Sequence, residues 1–369
     1  MTDKRLLIIT GERSGVESIL PAINKIDKQF INSIRIVAPD YSIIQEELRS
    51  NIYIPSFNGL TLEGNILSLY LKTFIEINHY ITGHRISDII FVDNPEFNML
   101  LARTLYNKGI NLYYFIIPQI WAWRGYRVKY LKRYFKKVFV IFPFEKEILK
   151  DSEVDAEFVG HPKFEQITMD EDIEKHKNKL GLKKRERIIS LFPGTRENVL
   201  KRHFSLFEDT AMLLSEKLPN YKIVISDINR KSLKVRNKIL YSPLSASSLI
   251  KASDFSIISS GSTTMEATFA GIPFIGVYKP DIYTYIAGRL LLHTDTTIMP
   301  NIILNERFIT ELISPYLSHH DIVSTTISII NNKEHISVIK KKLNQVKDMF
   351  RGYITSIIMK EKIESILSN

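Results

Sequence analysis

The sequence predicts an α/β protein of two doubly wound units in tandem, closed by C-terminal helices. Three observations carry that reading. Short apolar runs alternate with helix-period segments through the first half, a charged stretch interrupts them near residue 165, and the same alternation then begins again. Runs without polar alternation are the pattern of parallel strands buried on both faces. The first unit's strands are Leu6 to Ile9, Ile34 to Val37, Ile89 to Val92, Leu112 to Ile117 and Val138 to Phe142. Residues 59 to 84 set Leu62, Ile66, Leu69, Tyr70, Thr73 and Ile77 at helical spacing, an amphipathic segment. Residues 95 to 107 open on Pro95, whose fixed φ suits a first helical position, and continue with Phe97, Leu100, Leu101 and Leu105.

Residues 166–186, rich in Lys, Asp and Glu, are predicted to link the units. The second unit's strands follow at Ile188 to Phe192, Lys222 to Ile225, Phe255 to Ile258 and Phe274 to Val277. Beyond about residue 303 the period is helical, in 319–332, 334–349 and 353–368. The predicted domains are therefore 1–165 and 187–345, with 346–369 a final helix that packs back on the first. Open parallel sheets bind ligands at the carboxyl ends of their strands, so the ligand is expected in a cleft between facing units.

Composition narrows the function classes. At 369 residues the chain can hold two cores, and no apolar run approaches the roughly 20 residues that span a bilayer. Met1-Thr2-Asp3-Lys4-Arg5 leads straight into a strand without a signal-peptide core, which predicts a cytoplasmic protein. The absence of cysteine excludes disulfides, thiol nucleophiles and Cys-ligated metals. A net charge of +10 implies an acidic partner. Between Arg124 and Lys137 the basic residues Arg124, Arg127, Lys129, Lys132 and Arg133 alternate with Tyr126, Tyr130, Tyr134 and Phe135 and meet no acid. Such a segment suits a membrane interface, an RNA-binding surface or a solvated helix face over aromatic core residues.

The most informative stretch is Ser259-Ser260-Gly261-Ser262-Thr263-Thr264-Met265-Glu266, between an apolar run and Gly271-Ile272-Pro273. Small and hydroxyl residues at a strand-to-helix turn present backbone N–H groups and a helix N-terminus, an arrangement matched to a diphosphate. Glu266, near the helix start, is placed to accept hydrogen bonds from a ribose diol. Glycine-containing transitions open each half, Thr10-Gly11-Glu12-Arg13-Ser14-Gly15 and Phe192-Pro193-Gly194-Thr195-Arg196. The first lacks the third glycine of a dinucleotide fingerprint and the Gly-Lys-Ser/Thr of a P-loop, so oxidoreductase and kinase readings fall.

Together these segments resemble the lipid-A-disaccharide synthases, inverting glycosyltransferases with two facing Rossmann-like domains, the GT-B arrangement. The resemblance runs through Gly11 to Gly15, Asp93-Asn94-Pro95-Glu96-Phe97-Asn98, Pro118-Gln119-Ile120-Trp121-Ala122-Trp123-Arg124, Pro143-Phe144-Glu145 and Phe158-Val159-Gly160-His161-Pro162. It continues through Pro193 to Arg196, Ser260 to Glu266, Gly271-Ile272-Pro273 and Pro300-Asn301. It implies transfer of 2,3-diacylglucosamine from its UDP donor to the 6-hydroxyl of 2,3-diacylglucosamine 1-phosphate.

Further expectations follow from the resemblance. Asp93, at a strand's carboxyl end, is the expected general base, and Glu12 and Ser14 are expected beside the acceptor. Gly194, Thr195, Arg196, Ser260, Gly261, Ser262, Thr263, Thr264, Glu266 and Asn301 are expected around the donor, with Arg196 on its diphosphate. An N-cap reading competes for Asp93, a helix cap for Ser14 and a turn residue for Asn301. Val16 and Glu96 stand where relatives carry Asp, and Thr310-Glu311 where they carry Pro-Glu. No metal or cofactor is expected, because Asp170-Glu171-Asp172 lies in the charged linker and His319-His320-Asp321 has no matching partner. The expected partners are the two lipid-linked sugars and an anionic membrane surface touched peripherally; nucleic acid is not expected, and a homodimer is compatible. The competing readings are a UDP-N-acetylglucosamine 2-epimerase and a non-enzymatic membrane-binding protein.

Overall fold

A computed structural model describes residues 4–54, 66–122, 125–168, 172–194, 197–227, 232–259, 261–291 and 294–368. They form two compact units, Met1–Pro162 with Gly352–Asn369, and Lys163–Arg351.

In the first unit the order is β1 (Leu6–Thr10), α1 (Arg13–Ile23), α2 (Lys28–Ile31), β2 (Ile34–Ala38), β3 (Arg49–Tyr53) and α3 (Ile66–Gly83). There follow β4 (Asp88–Val92), α4 (Pro95–Leu105), β5 (Asn111–Phe115), α5 (Val128–Tyr134), β6 (Lys137–Val140), α6 (Pro143–Lys150) and β7 (Ala156–Phe158). The strands make one parallel sheet in the order β3-β2-β1-β4-β5-β6-β7. Phe91, Phe97, Tyr114, Phe115 and Phe139 are fully buried, as strands covered on both faces require.

The second unit continues with α7 (Pro162–Thr168), α8 (Ile173–Lys179), β8 (Arg187–Phe192), α9 (Glu197–Lys217), β9 (Tyr221–Ser226), β10 (Lys234–Arg236) and β11 (Ile239–Ser242). Next come α10 (Ala246–Ala252), β12 (Phe255–Ser259), α11 (Thr263–Ala270), β13 (Phe274–Tyr278), α12 (Ile282–Leu291) and α13 (Met299–Leu304). It ends with β14 (Glu311–Ile313), α14 (His319–Asn331) and α15 (Lys333–Asp348). The sheet order is β10-β11-β9-β8-β12-β13-β14, parallel except for the β10–β11 pair. The last helix, α16 (Thr355–Ser368), belongs to the first unit and packs on α1, where Asp27 pairs with Lys360 at 3.2 Å.

Both sheets reverse strand order at one place, between β1 and β4 and between β8 and β12. The reversal opens a crevice at the carboxyl ends of those strands, the ligand position in doubly wound sheets.

The charged segment 166–186, predicted to be a linker, lies inside the second unit. Phe164 of α7 packs on Phe269 and Phe350 at ring distances of 5.2 and 6.0 Å. Lys177 of α8 is buried with its ammonium on the carbonyls of Lys184 and Glu186. Asp170 and Glu171 are outside the described residues. Among those residues, no helix is long and apolar enough to cross a membrane.

Candidate active site

In the first unit, β1 and β4 deliver the Gly11 loop and the Asp93-Asn94 turn to the strand-order reversal. Asp93 and Asn94 both have left-handed backbones, φ 52° and 40°. Such conformations cost non-glycine residues about 1–3 kcal/mol each and persist only where neighbours impose them. Here the Asp93 N–H donates to Phe115 O at 3.0 Å, and its carbonyl accepts from Asn98 Nδ2 at 2.6 Å and Tyr114 Oη at 2.7 Å. Burial pushes the Tyr114 phenol well above its ordinary value, with the nearby Asp93 charge adding to the effect, so it stays a donor. The turn places a half-buried Asp93 directly after the carboxyl end of β4.

Asn94 is the N-cap of α4, its Oδ1 accepting from Phe97 N at 3.3 Å. The N-cap reading that competed for Asp93 therefore falls to its neighbour. The Asn94 side chain lies so close to Gly11 that a Cβ there would sit 2.0 Å from Asn94 Nδ2. Gly11 is required by close approach. Glu12, half-buried, occupies the N-cap position of α1 without a side-chain cap bond. Ser14 is exposed inside the first turn of α1 rather than at its cap. Val16 is fully buried, and Glu96 forms a 2.6 Å ion pair with Arg127.

That ion pair corrects the expectation for Arg127. The side chain is 9% exposed and turned into the unit, so it is no part of a basic surface. Lys129 is exposed, Lys132 pairs with Glu153, and Arg133 lies over the Tyr106 ring with a 2.9 Å bond to its hydroxyl. Arg124 is outside the described residues. Apolar exposure is larger than the sequence suggested: Leu69, Leu71 and Ile75 of α3, Leu100 of α4, and Tyr126 and Tyr130 are all exposed. The opposite side of α3 carries Tyr70 and Phe74 onto Phe97 of α4, with Thr73 and Ile77 buried.

In the second unit, Gly194 follows β8 with φ +107°, and a side chain there would strike Val199 at 2.9 Å. Thr195, Arg196 and Ser260 are outside the described residues. Gly261 and Ser262 are exposed ahead of α11, and Ser262 makes no side-chain cap bond. Thr263, half-buried, begins the helix, and the next two N–H groups, of Thr264 and Met265, donate to Gly261 O and Ser262 O at 3.1 Å each. Thr264 is turned inward, donating to Gly261 O at 2.7 Å.

Glu266 is 4% exposed, accepts from Ser247 Oγ at 2.8 Å and pairs with Lys163 Nζ at 3.4 Å. Sequence gave no sign of either partner, because Ser247 on α10 and Lys163 on α7 are brought in only by packing.

Asn301 is corrected by the structure. It lies inside α13 rather than in a turn and is 1% exposed. Its Nδ2 donates to Ile309 O at 2.9 Å, and its Oδ1 accepts from the N–H groups of Phe308 and Ile309 at 3.2 and 2.9 Å. Its second Nδ2 hydrogen reaches Thr296 Oγ1 at 3.3 Å, so the side chain is spent on the 308–309 backbone and the Thr296 turn. Glu311, the first residue of β14, accepts from Thr296 Oγ1 at 2.8 Å and Thr297 N at 3.0 Å, tying that turn to the sheet.

The family described as lipid-A-disaccharide synthetase matches residues 55–362. A lipid-A-disaccharide synthase 1 of Legionella pneumophila (strain Lens) is 29% identical, covering 84% of this chain and 83% of its own. A lipid-A-disaccharide synthase of Persephonella marina is 31% identical over 70% of this chain and 72% of its own. Among solved structures, a UDP-GlcNAc 2-epimerase from Neisseria meningitidis superposes over 99% of this chain and all of its own, with TM-score 0.64 and 13% identity. That likeness is one of fold. The family match extends over most of the sequence and includes the Asp93-Asn94 turn and the Gly194 and Gly261 loops: the chain belongs to the lipid-A-disaccharide synthetase family and is a glycosyltransferase.

Proposed function

We propose that this enzyme transfers 2,3-diacylglucosamine from its UDP donor to the 6-hydroxyl of 2,3-diacylglucosamine 1-phosphate, with inversion, releasing UDP. The observation that carries the proposal is the family match through residues 55–362.

Inversion requires the acceptor oxygen to attack the anomeric carbon opposite the departing diphosphate. Asp93 takes the hydroxyl proton as that bond forms, while the glycosidic pair leaves with UDP. Its half-buried carboxylate, on a turn held by Phe115, Asn98 and Tyr114, supports this role. Glu12 and Ser14, at the start of α1, orient the acceptor. On the donor side, the backbone at the N-terminus of α11, the Gly194 loop and Arg196 meet the growing charge of UDP, which needs no metal for its stabilisation. Glu266 receives the ribose, exchanging its Ser247 bond for one to the diol.

The acyl chains of both sugars favour a bilayer, and the enzyme works from its cytoplasmic side as a peripheral protein. Support comes from the exposed Leu69, Leu71, Ile75, Tyr126 and Tyr130 with Lys129 among them. The decisive experiment incubates the protein with UDP-2,3-diacylglucosamine, with and without 2,3-diacylglucosamine 1-phosphate. UDP release that requires the acceptor supports the transfer, whereas acceptor-independent release or epimerised donor rejects it.

A further inference from the structure

One buried polar group in the second unit has no part in the reaction described above. His203 of α9 is 1% exposed, yet both ring nitrogens are engaged. The backbone N–H of Lys279, just beyond β13, donates to Nε2 at 3.0 Å. A nitrogen that accepts carries no proton, so the ring's proton is on Nδ1. Nδ1 in turn lies 3.1 Å from Ser259 Oγ, at the end of β12, and donates to it. Phe207 stacks on the ring at 5.9 Å and Tyr278 meets it edge-on at 5.3 Å, fixing its plane. Burial is the largest influence on its titration and holds it below the ordinary imidazole value, in keeping with a neutral ring that accepts from the Lys279 N–H; the Pro193 backbone faces the ring.

The ring thus touches the ends of three adjacent parallel strands. Pro193 follows β8, Ser259 ends β12 and Lys279 follows β13. Ser259 Oγ is 3.6 Å from the position a Cβ would take on Gly194, so the two loops at the strand-order reversal meet directly above this contact. An apolar ring of the same shape would fill the space and leave both a hydroxyl and an N–H buried without a partner.

We propose that His203, as the neutral Nδ1–H tautomer and acting through Ser259, is a positioning residue for the donor diphosphate: it sets the spacing of the Pro193-Gly194 turn and the end of β12 ahead of Gly261–Thr264. The proposal rests on the reading of the second unit as the UDP-binding unit. His203 does not touch the ligand. It holds the backbone groups that do, so its loss is felt in donor affinity and not in acceptor use.

The test uses the full chain. UDP binding is measured by calorimetry, and donor and acceptor KM are determined separately, for wild type, His203→Phe, His203→Asn, Ser259→Ala and His203→Phe with Ser259→Ala. His203→Phe should weaken UDP about tenfold, the scale of one or two lost buried hydrogen bonds. It should raise donor KM in step and leave acceptor KM unchanged. His203→Asn, which keeps a donor near the Nδ1 position, should recover most of the loss. Ser259→Ala should weaken UDP less, and the double variant should bind no worse than His203→Phe alone, because both changes break one link.

A merely structural histidine would lower the melting midpoint without separating donor from acceptor. Wild-type UDP affinity in folded His203→Phe, or additive losses in the double variant, would overturn the proposal. Should His203→Phe fail to fold, unchanged UDP affinity in Ser259→Ala overturns it equally. If wild type itself does not bind UDP, the donor reading of this unit fails first and takes the proposal with it.

Discussion

Replacing Glu145 with Gln should remove a pH dependence from the stability of the first unit. Glu145 is 2% exposed at the start of α6, where its carboxylate accepts from the N–H groups of Ile141 and Phe142 at 3.2 and 3.1 Å. Burial raises its pKa to about 7 from 4.5, outweighing those backbone bonds and the Trp121 indole, which stands beside it without closing a full hydrogen bond. Between pH 4.5 and 7 the folded state therefore keeps a proton that the unfolded chain has lost, so stability falls as pH rises through that window. A shift of this size corresponds to about 3 kcal/mol of stability present below pH 4.5 and absent above pH 7.

Gln is nearly isosteric, offers its carbonyl to the same two N–H groups and carries no charge to desolvate. The variant should be flat across the window and more stable than wild type at pH 8. Urea unfolding followed by tryptophan fluorescence is the assay, since both tryptophans of the chain lie in this unit, with Trp121 edge-on to Phe144 at 5.5 Å. Parallel pH profiles for the two proteins would refute the reasoning.

Three further outcomes are expected. Asp93→Asn should keep the left-handed turn, which Asn tolerates, and cut turnover about 100- to 10,000-fold in a UDP-release assay while UDP affinity stays within about twofold. Gly11→Ala forces a Cβ to within 2.0 Å of Asn94 Nδ2, so it should destabilise by about 1–3 kcal/mol in urea and lower turnover by moving the Asp93 turn. Serine at Leu69, Leu71 and Ile75 should reduce sedimentation with anionic vesicles and Lys129→Ser should weaken its salt sensitivity, whereas Arg127→Ser should lower the melting midpoint with vesicle binding unchanged.

The long apolar strands and the C-terminal helices were legible because each carries its own period and its own ends. Pro95 opens α4 where its geometry predicts, and Ser318 with Asp321 forms a reciprocal cap at the start of α14. The short edge strands β3, β10 and β14 were not legible, since three to five residues with one exposed face have little apolar signal. At the candidate site, local pattern was enough to place the Gly11 and Gly194 loops and the Asp93 turn at strand ends. The site was misread at Asn301 and Arg127, because sequence records that a side chain is polar but not which way it points. The partners of Glu266 and His203 come from distant helices and strands, and no local pattern could have announced them.

The membership of α16 in the first unit has a consequence for how the protein is made. That unit is assembled from both ends of the chain, with residues 163–351 inserted between its two pieces. On a ribosome adding about 5–20 residues per second, the first seven strands emerge and then wait roughly 10 to 40 s for the helix that covers α1. During that interval the face that receives Ser356 and Lys360, beside Lys25 and Asp27, is open to solvent and to chaperones. The second unit, by contrast, is continuous in sequence and waits for no distant piece. The half that is started first therefore depends for its last helix on nearly the whole of the chain having been made.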